Sequence, residues 1–274
     1  MTNIIKLILL SIIAIVLIAI MALLINGKSF NIKSSKAELL YDKNITEEVK
    51  NIKVEATSSD IKVVESETNE INVKIYDEKE QKENIEVEVN DDSLEIINKK
   101  ENNLNFFNMG FIGNGPRIII SIPKDTKYNL DFNATSGDIT VNQDMNNVDI
   151  HVTSGDIELK NALNTNIKST SGDIELGEVS NLNIHTTSGD VKVKKVNTKV
   201  NIELTSGDIT IDEVDLSKNS NIKAVSGDVT INKTNDIYVE SHTTSGDEDV
   251  FNSNRKATTE LKIKTTSGDI EVNK

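Results

Sequence analysis

The sequence predicts an all-β fold, a single-stranded parallel β-helix (β-solenoid) with coils of about 17–20 residues, behind one N-terminal transmembrane α-helix. Three observations predict this fold. A Ser-Gly-Asp tripeptide recurs eight times at nearly constant spacing. Aliphatic and polar residues alternate on both sides of most copies. One apolar run near the N-terminus has the length needed to cross a bilayer.

The apolar run covers residues 7–25, where Ser11 is the only polar residue. Its 19 residues make about 30 Å of helix, which matches the thickness of a hydrocarbon core. No small-x-small cleavage site precedes the polar exit at Asn26, so we predict an uncleaved anchor over residues 1–26. The lysines on the two sides of the run do not decide its orientation.

Composition excludes several classes of function. The net charge of -14 argues against nucleic acid as a partner, because an acidic surface repels phosphate. Cysteine is absent, which excludes disulfides, thiol catalysis, thiolate zinc sites and an acylated lipoprotein anchor. Tryptophan is also absent and aromatic residues make up 4%, so the core must consist of Ile, Val and Leu.

The tripeptide organises the rest of the chain. Its copies are separated by 17 to 22 residues, and residues 58–60 form a degenerate ninth copy, Ser-Ser-Asp. The eight copies begin at Ser136, Ser154, Ser171, Ser188, Ser206, Ser226, Ser245 and Ser267. Because aliphatic residues alternate with period two on both sides, each copy is predicted to be a turn between two short strands.

Two architectures fit such strands, an antiparallel meander and a β-helix. Equivalent positions keep equivalent residues across the repeats: Thr usually precedes the tripeptide, and Asn stands five residues before it at 166, 183, 201 and 221. An antiparallel meander does not explain why the same residue type recurs at equivalent positions. Stacked coils explain it, because they bring these residues into columns. The pattern therefore favours the β-helix.

Four segments follow from these patterns. Residues 1–26 are the anchor, 27–44 a polar stalk, 45–126 a first coil with further strands, and 127–274 the regular β-helix with its eight repeats. Residues 52–63 match the repeat and are predicted to be the first coil. The strands predicted within 64–126 fit either degenerate coils or an inserted sheet, and the pattern does not choose between them.

The T-S-G-D-[IV] units and the stretch IIISIPKDTKYNLDFNATSGDIT resemble a family of bacterial envelope proteins of unknown function, described as putative adhesins, and their head GIN adhesin-like relatives. The resemblance covers roughly residues 50–274. It implies a β-helix on the outer side of the cell membrane, with links to surface attachment and to envelope-stress systems. It supplies no catalytic residues.

The repeated aspartates are the most suggestive candidate site. Stacked carboxylates repel one another, so something must offset their charge. Each Asp is expected to cap backbone N–H groups in its own turn. The alternative is a ladder of Ca²⁺ ions, although one carboxylate per coil supplies few of the six to eight oxygens that calcium requires. The ladder would comprise Asp138, Asp156, Asp173, Asp190, Asp208 and Asp228.

No catalytic or cofactor site is predicted. The three histidines, His151, His185 and His242, each lie three residues before a repeat serine and form one outward column. In the predicted stack His151 and His185 are two coils apart, about 10 Å, which is too far for one metal ion. The two arginines, Arg117 and Arg255, lie in distant segments, and the acidic residues are spread along columns. We therefore predict that the chain is not an enzyme.

Two further features bear on partners. Phe106, Phe107 and Phe111 form an aromatic cluster in a Gly-rich stretch, which is either a plug over the apolar end of the β-helix or a contact loop for a partner. Glu248 replaces the aliphatic residue that follows most other copies, and five residues follow Asp269. We expect an unpaired strand edge after Asp269, shielded by residues 248–258 or paired with another copy.

The sequence thus predicts a non-enzymatic, adhesin-like surface-binding or scaffolding module. It would be a single-pass protein of the cell membrane, with the C-terminal domain outside the cytoplasm. A regulatory partner of an envelope-stress system is the alternative, and a calcium-stabilised or carbohydrate-processing β-helix is a third. The expected partners are the membrane, cell-wall or host polysaccharide, or another envelope protein.

Overall fold

The tripeptides form the corners of coils in the computed structural model, which describes residues 37–77, 84–99, 116–251 and 253–274. At one such corner a strand ends at Ser188 and the next begins at Val191, so Gly189 and Asp190 make the turn. These ranges contain 19 β-strands and no α-helix. The predicted anchor, residues 1–26, lies outside them. Within the same ranges no helix is long and apolar enough to cross a membrane.

The strands fall into an irregular and a regular part. The irregular part comprises β1 (Glu38–Ile45), β2 (Asn51–Ser58), β3 (Asp60–Glu65), β4 (Ile71–Asp77), β5 (Ile85–Asn90), β6 (Ser93–Asn98) and β7 (Arg117–Ile122). The regular part comprises β8 (Asn129–Ser136), β9 (Ile139–Ser154), β10 (Ile157–Ser171), β11 (Ile174–Ser188), β12 (Val191–Ser206), β13 (Ile209–Val214), β14 (Ser220–Ser226), β15 (Val229–Ile231), β16 (Tyr238–Ser245), β17 (Glu248–Val250), β18 (Glu260–Ser267) and β19 (Ile270–Val272).

Successive coils stack in parallel and in register, which confirms the predicted solenoid. Every corner serine pairs with the corner serine of the next coil. Through the stack the order of the corners is Ser58, Ser136, Ser154, Ser171, Ser188, Ser206, Ser226, Ser267 and Ser245. The degenerate copy at residues 58–60 is thus aligned with the other corners, although Ser59 does not have the positive φ of their glycines.

Columns of aliphatic side chains fill the interior. One column holds the residue four positions before each corner serine, and its apolar members are fully buried. It consists of Ile96, Val54, Phe132, Ile150, Ile167, Ile184, Ile202, Ile222 and Ile263, and it ends at Ser241. Because each side chain is covered by the coils above and below, burial depends on the stack rather than on any one coil.

The corner glycines are required for two reasons. All eight have φ between +112° and +149°, a conformation that other residues rarely adopt. A Cβ atom on any of them would also lie 1.9–2.3 Å from the backbone carbonyl oxygen of the corner in the neighbouring coil. Glycine at this position therefore permits both the turn and the close stacking.

The segment between the first coil and the regular repeats contains both kinds of structure that the sequence left open. β6 and β7 stack in parallel on β2 and β3, and so form a further layer. β4 pairs antiparallel with β7, and β5 pairs antiparallel with β6. β1 adds to β4, again antiparallel. Glu38–Ile45 is therefore a strand, and the prediction of a polar stalk is wrong over residues 38–44; residues 27–36 lie outside the described ranges.

Neither end of the stack follows chain order. The coil of β2 and β3 lies between the layer of β6 and β7 and the coil of β8 and β9. At the opposite end, β18 lies between β14 and β16, and β19 lies between β15 and β17. The prediction of an unpaired edge after Asp269 is thus wrong, because residues 260–272 pair on both sides.

The outermost coil, β16 and β17, carries polar residues where other coils have aliphatic ones. Ser241 ends the interior column described above, and Glu248 pairs with Ile270 at the end of another. The Glu248 carboxylate accepts hydrogen bonds from the Ser241 hydroxyl and, at 2.9 Å, from the Thr243 backbone N–H. These two bonds lower the pKa of Glu248 below its ordinary value. The Thr243 N–H of the terminal strand β16 is therefore already bonded to Glu248. It is not free to pair with a further strand added at this end.

We predict that Gly172→Ala destabilises the stack by at least about 3 kcal/mol. The added Cβ would lie 2.1 Å from the Gly155 carbonyl oxygen, and φ is +123°. Chemical denaturation measures the loss, and Ser171→Ala is the neighbouring control with an expected change below about 1 kcal/mol. Equal stability of Gly172→Ala and the parent would contradict the stacked corner.

We predict that Glu248→Ala lowers stability at pH 7 by about 1 kcal/mol. Because folding lowers the pKa of Glu248, its contribution is fully present above the unfolded pKa of about 4.3 and fades as the pH falls through the folded value. Melting curves of parent and variant should therefore converge in acid. The exposed Glu158→Ala is the control, and a gap that stays constant down to pH 3 would refute the assignment.

Candidate binding faces

The repeated aspartates form one continuous ladder along the corners. The backbone N–H of each Asp donates to Oδ1 of the Asp in the adjacent coil, at 2.8–3.1 Å in all eight steps. The ladder runs Asp60, Asp138, Asp156, Asp173, Asp190, Asp208, Asp228, Asp269 and Asp247. Every carboxylate of this ladder except that of the terminal Asp247 thus accepts a backbone N–H and also faces its neighbours' charges.

This ladder corrects one expectation from the sequence. Each Asp caps an N–H group of the next coil and not of its own turn, because stacking brings that donor closer than the local backbone does. The structure does bring together the six aspartates considered for calcium. Among the residues described, no group of three or more His, Asp or Glu is arranged to hold a metal ion.

Asparagine side chains form a second kind of ladder, which we call the first Asn ladder. Nδ2 of each member donates to Oδ1 of the preceding one, at 2.6–2.9 Å. The members are Asn51, Asn129, Asn147, Asn164 and Asn181, seven residues before the corner serines. Asp92 extends the ladder at one end by accepting from Asn51 at 2.9 Å.

The second Asn ladder lies two residues further along each strand. Asn166 donates to Asp149 at 2.8 Å, Asn183 to Asn166 at 2.6 Å, and Asn201 to Asn183 at 2.6 Å. Asn221 pairs with Asn201 in strand register. The sequence predicted this column but not the first one, although counting back seven positions from each serine would have revealed it.

Two open grooves, each of about 460 Å³, lie on the surface of the stack. The asparagine groove lies between the two Asn ladders. Beneath the groove lie Leu130, Val148, Thr165 and Leu182, whose side chains are buried. Thr165 is 3% exposed, and its hydroxyl finds no hydrogen-bond partner among the described residues.

The threonine groove lies beside the corner column. Its walls include the hydroxyls of Thr57, Thr135, Thr153 and Thr170. Charged residues at its rim are Glu55, Lys99 and Lys168, and His151 lies beside them. Lys99 forms an ion pair with Glu55, and this contact lowers the pKa of Glu55. Lys168 and the threonine side chains therefore remain as the polar groups that line this groove.

The histidines occupy the outward column that the sequence predicted. His151 and His185 both pair in register with Lys168, which lies between them. His151 Nδ1 is 3.3 Å from Asn133 Oδ1, and His185 Nδ1 is 3.1 Å from Glu203 Oε2. Each histidine therefore interacts with its own neighbours rather than with another histidine.

Some of the other charged side chains form ion pairs between neighbouring coils at the surface. Lys195 Nζ is 2.7 Å from Glu213 Oε1, and this hydrogen bond lowers the pKa of Glu213. Such exposed pairs contribute little to stability. Phe106, Phe107 and Phe111, predicted as a plug or contact loop, lie outside the described residues.

The stacked corners, parallel coils and repeated ladders match one family. The chain belongs to the Toastrack DUF4097 family, whose model matches residues 49–273. This membership agrees with the resemblance inferred from the T-S-G-D-[IV] units. A search of curated proteins found no match.

Several solved structures are similar to most of the chain. A putative adhesin from Bacteroides fragilis has 15% identity and a TM-score of 0.50, covering 86% of this chain and 97% of its own. A putative adhesin from Parabacteroides distasonis has 14% identity and a TM-score of 0.43, covering 87% and 98%. A putative lipid binding protein from the same species has 13% identity and a TM-score of 0.46, covering 87% and 97%. At such identity the first likeness shows the fold alone.

We predict that Asp190→Ala and Asp190→Asn have different effects. Asp190 Oδ1 accepts the N–H of Asp208 at 3.0 Å, and alanine removes that acceptor. Asparagine keeps an acceptor and removes a charge from a column of like charges. We expect a loss of about 1–2 kcal/mol for Asp190→Ala and a change below about 0.5 kcal/mol for Asp190→Asn. Chemical denaturation compares the two, and an equal loss in both would mean that the charge itself is required.

Proposed function

We propose that this chain is a non-enzymatic, adhesin-like surface-binding or scaffolding module. The helix predicted over residues 7–25 anchors it in the cell membrane, and the β-solenoid lies outside the cytoplasm. Its ligand is a polysaccharide of the cell wall or host, or another envelope protein. The acidic surface makes nucleic acid a poor partner.

One observation carries the proposal. Outward columns are in register, and some repeat one polar residue about every 4.8 Å, as Asn166, Asn183 and Asn201 do. Asn ladders with bonds of 2.6–2.9 Å hold these groups in fixed positions. A rigid, periodic array of amides and hydroxyls suits a repetitive surface, because many weak contacts are made at once.

Family membership supports the proposal as well. The Bacteroides fragilis neighbour, which shares the fold, is itself described as a putative adhesin. The grooves add a physical reason, since they are open and lined by amides and hydroxyls. Such groups bind neutral polar surfaces through hydrogen bonds rather than by reacting with them.

We predict that the solenoid is reached from outside the cell. The chain has no cysteine, so Lys192→Cys places a single thiol on an exposed strand position. A membrane-impermeant maleimide should label this thiol on intact cells. Thr2→Cys is the matched control and should be labelled after permeabilisation only. The opposite labelling pattern would refute the proposed orientation.

We also predict that the chain supports attachment. Cells that produce it should bind to plates coated with purified cell-wall polysaccharide more than cells that produce residues 1–36 alone. The reason is that the anchor lacks the periodic amide and hydroxyl columns. If both kinds of cell attached equally well to every plate, whether coated with polysaccharide or with protein, a surface-binding function would be refuted.

A further inference from the structure

The asparagine groove is an elongated site with like groups on both walls. Asn147, Asn164 and Asn181 lie on one wall, from the first Asn ladder. Asn166, Asn183 and Asn201 lie on the other, from the second Asn ladder. Because both ladders cross successive coils, the groove follows the axis of the stack.

The ladders leave hydrogen-bonding capacity unused. An interior member such as Asn164 donates one N–H to Asn147 and accepts one from Asn181. A side-chain amide has two N–H donors and two acceptor lone pairs, so one of each remains. The coils of β10 and β11 therefore each offer a donor and an acceptor on both walls, about 4.8 Å apart.

The groove is close to neutral, although the chain carries a net charge of -14. Its charged lining residues are Asp149 and Lys199, one of each sign. Asp149 already accepts from Asn166 at 2.8 Å, and His151 Nε2 lies 3.7 Å from it. The ligand that fits is therefore polar and uncharged, because a charged one would find no matching cluster.

Beneath the groove lies a polar group that the fold does not require. Thr165 pairs in strand register with Val148 and Leu182, so its neighbours in this interior column are aliphatic. It is 3% exposed, and its hydroxyl has no hydrogen-bond partner among the residues described. Because Thr165 alternates with the outward Asn164 and Asn166, its hydroxyl faces the interior, so the amides of the two walls are the groups that a ligand meets.

We propose that the asparagine groove binds a linear, uncharged polysaccharide that lies along the stack axis. Sugar hydroxyls both donate and accept hydrogen bonds, which matches the free donor and acceptor of each amide. A peptide fits less well, because the strands under the groove are already paired on both sides and have no edge to extend. This inference rests on the proposed surface-binding function and names its ligand class and site.

The test uses the full chain in detergent micelles and measures affinity by calorimetry. The probes are hexasaccharides of β-1,4-linked glucose and of β-1,4-linked N-acetylglucosamine. A sulfated hexasaccharide, an extended Ser/Asn-rich peptide and phosphatidylglycerol vesicles are the comparators. The groove variant is Asn166→Ala with Asn183→Ala. The matched control is Asn221→Ala, which lies in the same column but outside the groove.

We expect at least one neutral hexasaccharide to bind the parent chain. The double variant should weaken binding at least tenfold, since it removes two amides, while Asn221→Ala stays within about twofold. Thr165→Val should raise the melting temperature and leave binding within about twofold, because its hydroxyl faces the interior. Asn183→Ala alone should weaken binding about threefold, and this single variant keeps the test valid if the double variant fails to fold.

Three outcomes would overturn the inference: neither neutral hexasaccharide binds, a folded double variant binds like the parent, or the peptide or the vesicles bind in place of the sugars. Binding of folded Asn183→Ala that equals binding of the parent would likewise exclude this groove. If cells carrying the double variant still attach to polysaccharide-coated plates, the surface-binding function stands and the assignment to this groove fails.

Discussion

In-register stacking of successive coils determines both the interior and the corners of this molecule. A single coil has no interior, because its aliphatic side chains are covered only by those of the coils above and below. The same register places each corner glycine directly against the carbonyl oxygen of the neighbouring corner. A residue at one position is therefore selected by the residue at the same position one coil away.

Stacking also explains how identical polar residues can share a column. Adjacent carboxylates repel, yet each Asp receives the N–H of the next corner, and this bond is repeated along the whole ladder. Asparagine needs no such compensation, because its amide donates on one side and accepts on the other. The Asn columns are thus neutral and hydrogen-bonded, and they retain donors and acceptors for a ligand.

The spacing of Ser-Gly-Asp was sufficient to predict the corners, the register and the buried columns, since Ile150, Ile167 and Ile184 occupy equivalent places in the repeat. The pairing of residues 64–126 could not be predicted. Period-two alternation is the same in a parallel coil and in the antiparallel strands β4 and β5. The sequence shows that Glu248 replaces an aliphatic residue of the repeat. Its hydrogen bonds to Ser241 and Thr243 could not be predicted, because they depend on which coil is outermost and the repeat does not encode the stacking order.

The placement of residues 260–272 has a consequence for how the chain folds during translation. This segment leaves the ribosome after both coils that enclose it, residues 220–231 and 238–250. Stepwise stacking from the N-terminus towards the C-terminus cannot produce such an order, because those two coils pair with the later segment and not with each other. Completion of this end of the solenoid therefore waits for a segment made late, and the long sequence separation of these contacts is of the kind that slows folding.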